Sequence, residues 1–459
     1  MKRFVCALLL LGASVLSATP MRGADDRPNI LFVLLDDLRW DALGATGHPA
    51  IKTPAIDRIA KEGMTFRNAF VTTPVCFPSR ASFLTGQYTH RHGIKVGKDC
   101  GPQSHALITF PLLLQRAGYR SGFFGKWHLG GDTGAPPPGF DRWVGLKEQG
   151  EYINPLLNID GRMERVEGYL TDLLSDQVID FIRQPATKPF LAYLSHKAPH
   201  APFTPAERHK ALFADMPIVR ASSSTDAWEG KPVLRRPGVK LNPRDPDVTT
   251  TDENIRDQLR CIMAVEEGMQ RILQTLESTG QIDRTVIVFT SDNGYFWGEH
   301  GLGGKHGPYE EALRVPLLVR YPPLIKAGAR TDALALNIDI APTLLALAGV
   351  PAEPGMQGLS LMPILRGEAR AVRTSFLAEF YLGTGTARFL TWRAVRDERW
   401  KYVRYTGHPE MDELYDLQAD PAEMKNLVDD PAGNPRVPGL QREMARLLAD
   451  GAPASQALR

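Results

Sequence analysis

Long apolar runs are what this chain most conspicuously lacks. No segment stays apolar for the roughly 20 consecutive residues that a membrane-spanning helix needs, so a helical membrane protein is excluded. Cysteine is scarce as well, with four in 459 residues, which excludes a small interaction domain scaffolded by disulfides. There is no excess of either charge: the formal net charge is +2. Bulk electrostatics therefore supports no nucleic-acid binder, and an anionic ligand has to be caught by local charges. No internal repeat or low-complexity tract is present. What remains has the apolar and charged fractions of a soluble globular protein, 43% and 23%, and enough length for one large domain and a smaller one.

The N-terminus reads as an export signal over residues 1–24. Lys2 and Arg3 precede an apolar run from Phe4 to about Leu16, and small residues follow at Ser17-Ala18 and Gly23-Ala24, as in a cleavable leader. The expected address is secreted or periplasmic, and no lipid-anchor cysteine follows the run. Cys6 leaves with the leader, so Cys76, Cys100 and Cys261 remain. An odd count in an exported protein leaves at least one thiol unpaired or modified. The separation of Cys100 and Cys261 does not decide whether they pair, and Cys261 inside a helix reads as a small buried hydrophobe.

From about Asn29 to Leu347, continuous apolar runs alternate with amphipathic stretches, the pattern of an α/β sheet buried on both faces. The predicted strands are Ile30–Leu35, Ser121–Phe124, Phe190–Leu194, Val286–Thr290 and Val315–Arg320. Thr53-Pro54 opens a helix that stops near Gly63, with Thr as cap and Pro at the first position. A long amphipathic helix runs Ile255–Thr279 and ends at Gly280. Between Asp215 and Asn254 the periodicity lapses, which predicts a mobile or substrate-facing loop. After about Gly367 short alternating runs appear, Phe376–Tyr381, Phe389–Arg396 and Trp400–Tyr405, with a closing helix near Gln441–Leu448. The expected architecture is α/β: a large, mostly parallel sheet sandwiched by helices over residues 25–367, and a small C-terminal α+β subdomain, an antiparallel sheet with one helix, over 368–459.

The residues with chemistry share one placement, each just after a predicted strand. Asp36 and Asp37 follow the first, Lys126 and His128 the second, His196 and His200 the third, Asp292 and Asn293 the fourth. Ligands of open α/β sheets bind outside the carboxyl ends of strands, so four polar clusters converge on one rim. Asp36, Asp37, Asp292 and Asn293 form a hard-oxygen set suited to calcium, with magnesium as the alternative, and unsuited to structural zinc. One acidic pair alone reads as a solvated strand end. Two pairs in one crevice repel and call for a cation. Cys76 begins Cys76-Phe77-Pro78-Ser79-Arg80, and Pro78 suits the first turn of a helix, which puts Cys76 at an anion-attracting N-terminus. A thiolate nucleophile is one reading of that position. A soft thiolate, though, sits poorly in an all-oxygen metal site, and a merely buried Cys explains neither Arg80 nor the acidic residues.

At this point the chain resembles the type I sulfatases of the alkaline-phosphatase-like superfamily. Cys76–Arg80 is similar to their C-x-P-S-R signature, in which the Cys is oxidised to formylglycine. The likeness continues through Asn29–Asp37, Ala81–Gly86, Gly125–His128, Pro199–Phe203, Ser291–Gly294, Gly304-Lys305 with Tyr309-Glu310, and Glu413–Leu417. The resemblance implies a formylglycine at Cys76 as nucleophile, matured by a formylglycine-generating enzyme. A hydrated aldehyde offers one hydroxyl to attack sulfur and a second whose proton loss expels sulfate, where a serine could do only the first half. The cation would lie on Asp36, Asp37, Asp292 and Asn293 beside residue 76. Arg80 would stabilise the hydrate, Lys126 and Lys305 would hold sulfate oxygens, His200 would protonate the leaving alcohol and His128 would serve as base in the elimination. His196 and His300 are second-rank candidates, since a His near a crevice is as often a scaffold residue.

The patterns at Thr89–Gly93, Gly168–Asp176 and Gly298–Gly301 are similar to the N-acetylglucosamine-6-sulfatase-like carbohydrate sulfatases, so the expected partner is a sulfated carbohydrate. Arg235, Arg236, Lys240 and Arg244 read as a solvated basic loop before they read as a grip on further anionic groups. Trp392 and Arg393 could line the pocket, and Lys305, in a Gly-rich loop, would without the resemblance be an ordinary solvated lysine. Two rival functions remain. One is a phosphoryl-transfer enzyme of the same superfamily, whose phosphonate and phosphodiester hydrolases share the formylglycine motif; a phosphate monoester, a dianion, would call for more cations or a second metal. The other is a catalytically idle glycan-binding protein, which would need no acid–base pair.

Overall fold

Continuous apolar runs become strands buried on both faces. The computed structural model describes residues 27–130, 134–236, 250–383, 389–431 and 433–450; the expected export segment lies outside them. In chain order the strands are β1 (Asn29–Asp36), β2 (Met64–Phe70), β3 (Arg120–Gly125), β4 (Arg142–Leu146), β5 (Leu156–Ile159), β6 (Arg162–Arg165), β7 (Phe190–Pro199) and β8 (Thr285–Ser291). They continue with β9 (Phe296–Trp297), β10 (Gly303–Gly304), β11 (Leu317–Arg320), β12 (Ala329–Leu336), β13 (Ser375–Phe380), β14 (Trp392–Asp397), β15 (Trp400–Tyr405) and β16 (Glu413–Asp416). Ten of them form one sheet in the order β12-β2-β11-β8-β1-β7-β3-β4-β5-β6. Side chains alternate across it. Ile30, Phe32 and Leu34 enter a core with Phe83 and Phe110. Leu31, Val33 and Leu35 enter a second core with Ile56, Leu259 and Ile262. The sandwich expected from the sequence is the one observed.

The centre of the sheet, β8-β1-β7-β3, is parallel throughout, so four adjacent carboxyl ends open on one rim. β7 outruns its predicted end at Leu194. Its polar tail stays in the sheet through a widened stretch, where Leu34 pairs with Ser195 but Asp36 pairs with Pro199. His196 is therefore a strand residue. β11 begins at Leu317, later than predicted, and runs antiparallel to both neighbours.

The predicted helices exist, with different caps. Pro54–Glu62 is helical, but the Thr53 hydroxyl takes none of its free N–H groups and instead donates to Asp57 (2.7 Å). Glu266, on the helix Asp252–Ser278, accepts from the N–H of Ala55 (2.6 Å) and Ile56 (3.0 Å). The helix ends at Gly63, where only glycine fits, since a Cβ would meet the Val319 carbonyl oxygen at 2.1 Å. Among the described residues no helix is long and apolar enough to cross a membrane. The C-terminal strands form an antiparallel meander, β13-β14-β15-β16, followed by the helix Val437–Ala449. Phe376 stacks on Phe70 of the large sheet (5.0 Å between ring centroids), so the two sheets share one core.

Glu266→Ala should lower stability by about 1–3 kcal/mol by leaving two buried N–H groups without acceptors. The check is a lower urea midpoint at unchanged slope; an unmoved midpoint would mean that those groups find other partners.

Candidate active site

The four parallel strand ends deliver what the sequence placed after them. Asp36 closes β1 and Asp37 follows it; Asp292 and Asn293 follow β8; Lys126 follows β3; His200 follows β7. All but His200 are buried. The turns are tight: Asp37 and His128 both hold positive φ, at 66° and 62°. Gly125, at φ 124°, lies where a Cβ would be 1.8 Å from the Ser195 carbonyl oxygen, so only glycine lets β3 hand over to Lys126. From below comes the helix Cys76–Thr85, buried at every residue, with Cys76 at its first position.

Cations thread the carboxylates. The Arg80 Nε and Nη2 both reach Asp292 Oδ2 at 2.8 Å. Its Nη1 donates to the Lys126 carbonyl (2.7 Å) and to Ser195 Oγ (2.6 Å). The Lys126 ammonium pairs with Asp36 Oδ2. Lys305 pairs with Asp37 Oδ1 and lies 2.7 Å from Cys76 Sγ. Cys76 Sγ also donates to Asp36 Oδ1 at 3.3 Å. Lys305 is thus no solvated loop lysine.

The electrostatics follow from burial against these pairs. Burial opposes ionisation of Asp36, yet Lys126, His200 and Arg80 hold its carboxyl well below the usual range. Asp37 is likewise lowered against burial, by Lys305 and His200. Asp292 is pushed up to about 7 by burial and by Asp36, so the crowded site cannot leave all three carboxylates at ordinary values. Burial first, and then Asp36, push the Cys76 thiol up, against the expectation that a helix N-terminus would favour its thiolate.

The residues present fit a hard cation. Donor atoms of Asp36, Asp37, Cys76 and His200 lie within 4.8 Å of one another, and Asn293 Oδ1 is buried with no hydrogen-bond partner while its Nδ2 donates to Asp37 Oδ1 (2.7 Å). His200 joins this group although the sequence reading counted it as an acid only. Asp292 keeps one oxygen on Arg80; the other accepts from the Asp37 N–H at 3.2 Å.

The His200 Nδ1 donates to the Ala201 carbonyl (2.7 Å), and its Nε2 faces Asp37 Oδ2 at 3.8 Å. Burial pulls the ring down to about 4. His128 accepts at Nε2 from the Gln149 amide (3.1 Å) and meets Phe77 edge-on; burial, Lys126 and Arg80 lower it well below the usual imidazole value. The second-rank histidines lie apart. His196 has no hydrogen-bond partner on either nitrogen and is lowered to about 3 by burial alone. His300 pairs with Asp226 (2.7 Å) and stacks on Tyr309. His90 pairs with Glu379 (3.0 Å) and His92 with Ser82 (3.1 Å), so the Thr89–Gly93 motif ties scaffold together.

The irregular stretch after Asp215 is, where described, anchored at several points although many of its residues are exposed. Asp226 binds His300, the Trp228 Nε1 donates to the His300 carbonyl (2.6 Å), and Val233 and Leu234 enter the core. Arg235 is exposed, Arg236 is partly buried, and Lys240 and Arg244 lie outside the described residues. Trp392 is buried and donates to the His306 carbonyl (3.0 Å); Arg393 is partly buried. Cys100 and Cys261 form no disulfide with each other.

A family model described as Sulfatase matches residues 28–350, and one described as N-sulphoglucosamine sulphohydrolase, C-terminal, matches residues 298–450. The chain is 32% identical to an N-acetylglucosamine-6-O-sulfatase of Bacteroides thetaiotaomicron, over 96% of this chain and 90% of that one. A protein solved in complex with its substrate D-glucosamine-2-N,6-O-disulfate superimposes with a TM-score of 0.83 at 32% identity, covering 92% of this chain and 97% of that one. A phosphonate monoester hydrolase of Agrobacterium radiobacter superimposes with a TM-score of 0.76 at 25% identity, covering 94% and 97%.

Arg80→Met should destabilise the fold by about 3–5 kcal/mol, since it strands the buried Asp292 carboxylate. Lys at this position should recover only part, because one ammonium cannot reproduce the fork onto Asp292, Ser195 and the Lys126 carbonyl. Urea unfolding of the two variants decides it, and equal stability of Met and wild type would remove Arg80 from this role.

Proposed function

Because the chain belongs to the sulfatase family and is a sulfuric ester hydrolase, we propose that its substrate is a sulfated glucosamine of N-acetylglucosamine-6-sulfate type and its nucleophile a formylglycine made from Cys76. The observation that carries this reading is the convergence of Cys76 Sγ with Asp36, Asp37 and His200 donor atoms beneath two lysine ammoniums. The substrate class is supported by the Bacteroides relative and by the superimposed disulfated-glucosamine complex.

Asp36, Asp37, Asp292 and the Asn293 carboxamide oxygen would hold calcium, or magnesium, which when bound supplies a Lewis-acid charge beside residue 76. The hydrated formylglycine supplies the oxygen that attacks sulfur and the second hydroxyl whose deprotonation releases sulfate. Lys126 and Lys305 balance the negative charge held on the sulfate oxygens through the transfer. Arg80 orients Asp292 and fixes the Lys126 turn. His200, its Nδ1 proton held by Ala201, presents Nε2 to the leaving alcohol, and His128 takes the proton in the elimination. Maturation requires a formylglycine-generating enzyme. Residues 1–24 act as leader to a secreted or periplasmic address, 25–367 as catalytic domain and 368–459 as its C-terminal subdomain.

The likeness to a phosphonate monoester hydrolase keeps phosphoryl esters as the second reading. Among the described residues one cluster alone is suited to a metal ion, which favours a monoanionic ester over a dianionic phosphate monoester; a phosphonate monoester is a monoanion like a sulfate ester, so turnover separates those two.

Mass spectrometry of the Cys76 peptide, from protein made with a formylglycine-generating enzyme, should show a residue lighter by roughly 18 Da, the exchange of thiol for aldehyde. A thiol retained in competent cells would overturn the nucleophile. On matched substrates the sulfate ester should turn over faster than the phosphate; the reverse order would install the second reading. His200→Ala should cost about 10²–10⁴ in kcat on the sugar sulfate, and chelation followed by calcium should abolish and restore turnover.

A further inference from the structure

The polar tail of β7 carries a buried cation that the reaction so far leaves unused. Lys197 is 1% exposed and stands in the widened stretch opposite the end of β1. Its Nζ donates to the Ala201 carbonyl at 2.8 Å, the same oxygen that takes the His200 Nδ1–H at 2.7 Å. The ammonium also lies over the Tyr152 ring, 5.2 Å from its centroid. The Tyr152 hydroxyl in turn donates to the His200 carbonyl (2.9 Å). Tyr169, stacked on Tyr152 at 5.8 Å, donates to the Thr204 carbonyl (3.0 Å). Three side chains from separate elements thus hold three carbonyls of the segment that bears His200.

A carbonyl oxygen only accepts, so the proton on His200 must sit on Nδ1 and the exchangeable position must be Nε2. Burying an ammonium costs several kcal/mol unless it is well partnered. A leucine or methionine would fill the same space without that cost, and it could not hold the Ala201 carbonyl where the imidazole needs it.

We propose that Lys197, with Tyr152, is a positioning residue for His200: it anchors the Ala201 carbonyl, which fixes the ring's tautomer and aims Nε2 at the leaving oxygen. The proposal rests on His200 as proton donor. In the imidazolium form both ring nitrogens carry a proton; as the bond between sulfur and the sugar oxygen breaks, the Nε2 proton passes to that departing oxygen, and the ring is left as the neutral Nδ1–H tautomer held on Ala201. A sugar alkoxide needs this proton; a nitrophenolate does not.

The test compares Lys197→Met, Tyr152→Phe and His200→Ala on a sugar sulfate and on nitrophenyl sulfate. Lys197→Met should lose about tenfold or more in kcat on the sugar sulfate and no more than about threefold on the aryl ester, the pattern of impaired general-acid catalysis. His200→Ala should show the same asymmetry more strongly, and the double variant should be no worse than His200→Ala alone. Equal losses on both esters would make Lys197 merely structural and overturn the proposal. Nitrogen NMR of labelled histidine reads the positioning separately: wild type should show a single Nδ1–H tautomer at His200, and Lys197→Met a mixture. An unchanged tautomer in both Lys197→Met and Tyr152→Phe also overturns it. If His200→Ala shows no asymmetry while the tautomer shifts as expected, the acid role of His200 fails and the anchoring of its ring survives. Should Lys197→Met not fold, Tyr152→Phe carries both readouts.

Discussion

Like charges in a protein interior do not tolerate company. Two carboxylates 4 Å apart repel by about 4 kcal/mol at an effective dielectric constant near 20, and this site gathers Asp36, Asp37 and Asp292 from the ends of two neighbouring strands. Each therefore needs a cation, and the positions of the cations organise everything around them. Arg80 reaches Asp292 only if its helix lies beneath the strand ends. Four residues are about one helical turn, so the geometry that brings Arg80 to Asp292 also brings Cys76 to Asp36. Lys126 reaches Asp36 only because Gly125 lets β3 turn against Ser195, and Ser195 is in turn held by Arg80. Carboxylates, cations and residue 76 form one mutually dependent set.

Much of this was legible because the strands that matter are buried on both faces. The cores of β1 and β8 and the first half of β7 read as apolar runs, and Phe123-Phe124 of β3 as a short one; polar residues straight after such runs are conspicuous. β2 and β12 were missed for the opposite reason: Arg67, Asn68, Arg330 and Asp332 interrupt them toward solvent. The end of β7 was misplaced because polar residues within a sheet look like a loop until their tertiary partners are known. Glu266 as a helix cap and Lys197 as an anchor carry no local signal at all. Each lies far along the chain from, or faces away from, the pattern that would announce it, and only the packing of separate elements gives it a role.

The irregular stretch after Asp215 shows a different source of order. Absence of periodicity predicts a mobile or substrate-facing loop, and among its described residues Asp226, Trp228 and Lys231 make a strap across the Gly298–Gly301 turn, with Lys231 over Tyr309 and Tyr415. Its order comes from single polar and aromatic anchors, not from a repeating face.

One consequence concerns time. Cys76 is 3% exposed and its helix is buried throughout, so in the finished fold no modifying enzyme can take hold of it. The partners that enclose it arrive late in synthesis: β8 and the Lys305 loop are made long after residue 76. At about 5–20 residues per second the thiol leaves the ribosome on the order of ten seconds or more before the core can shut over it. Any chemistry done to Cys76 belongs to that interval, and the rate at which this chain folds sets how much of it is ever done.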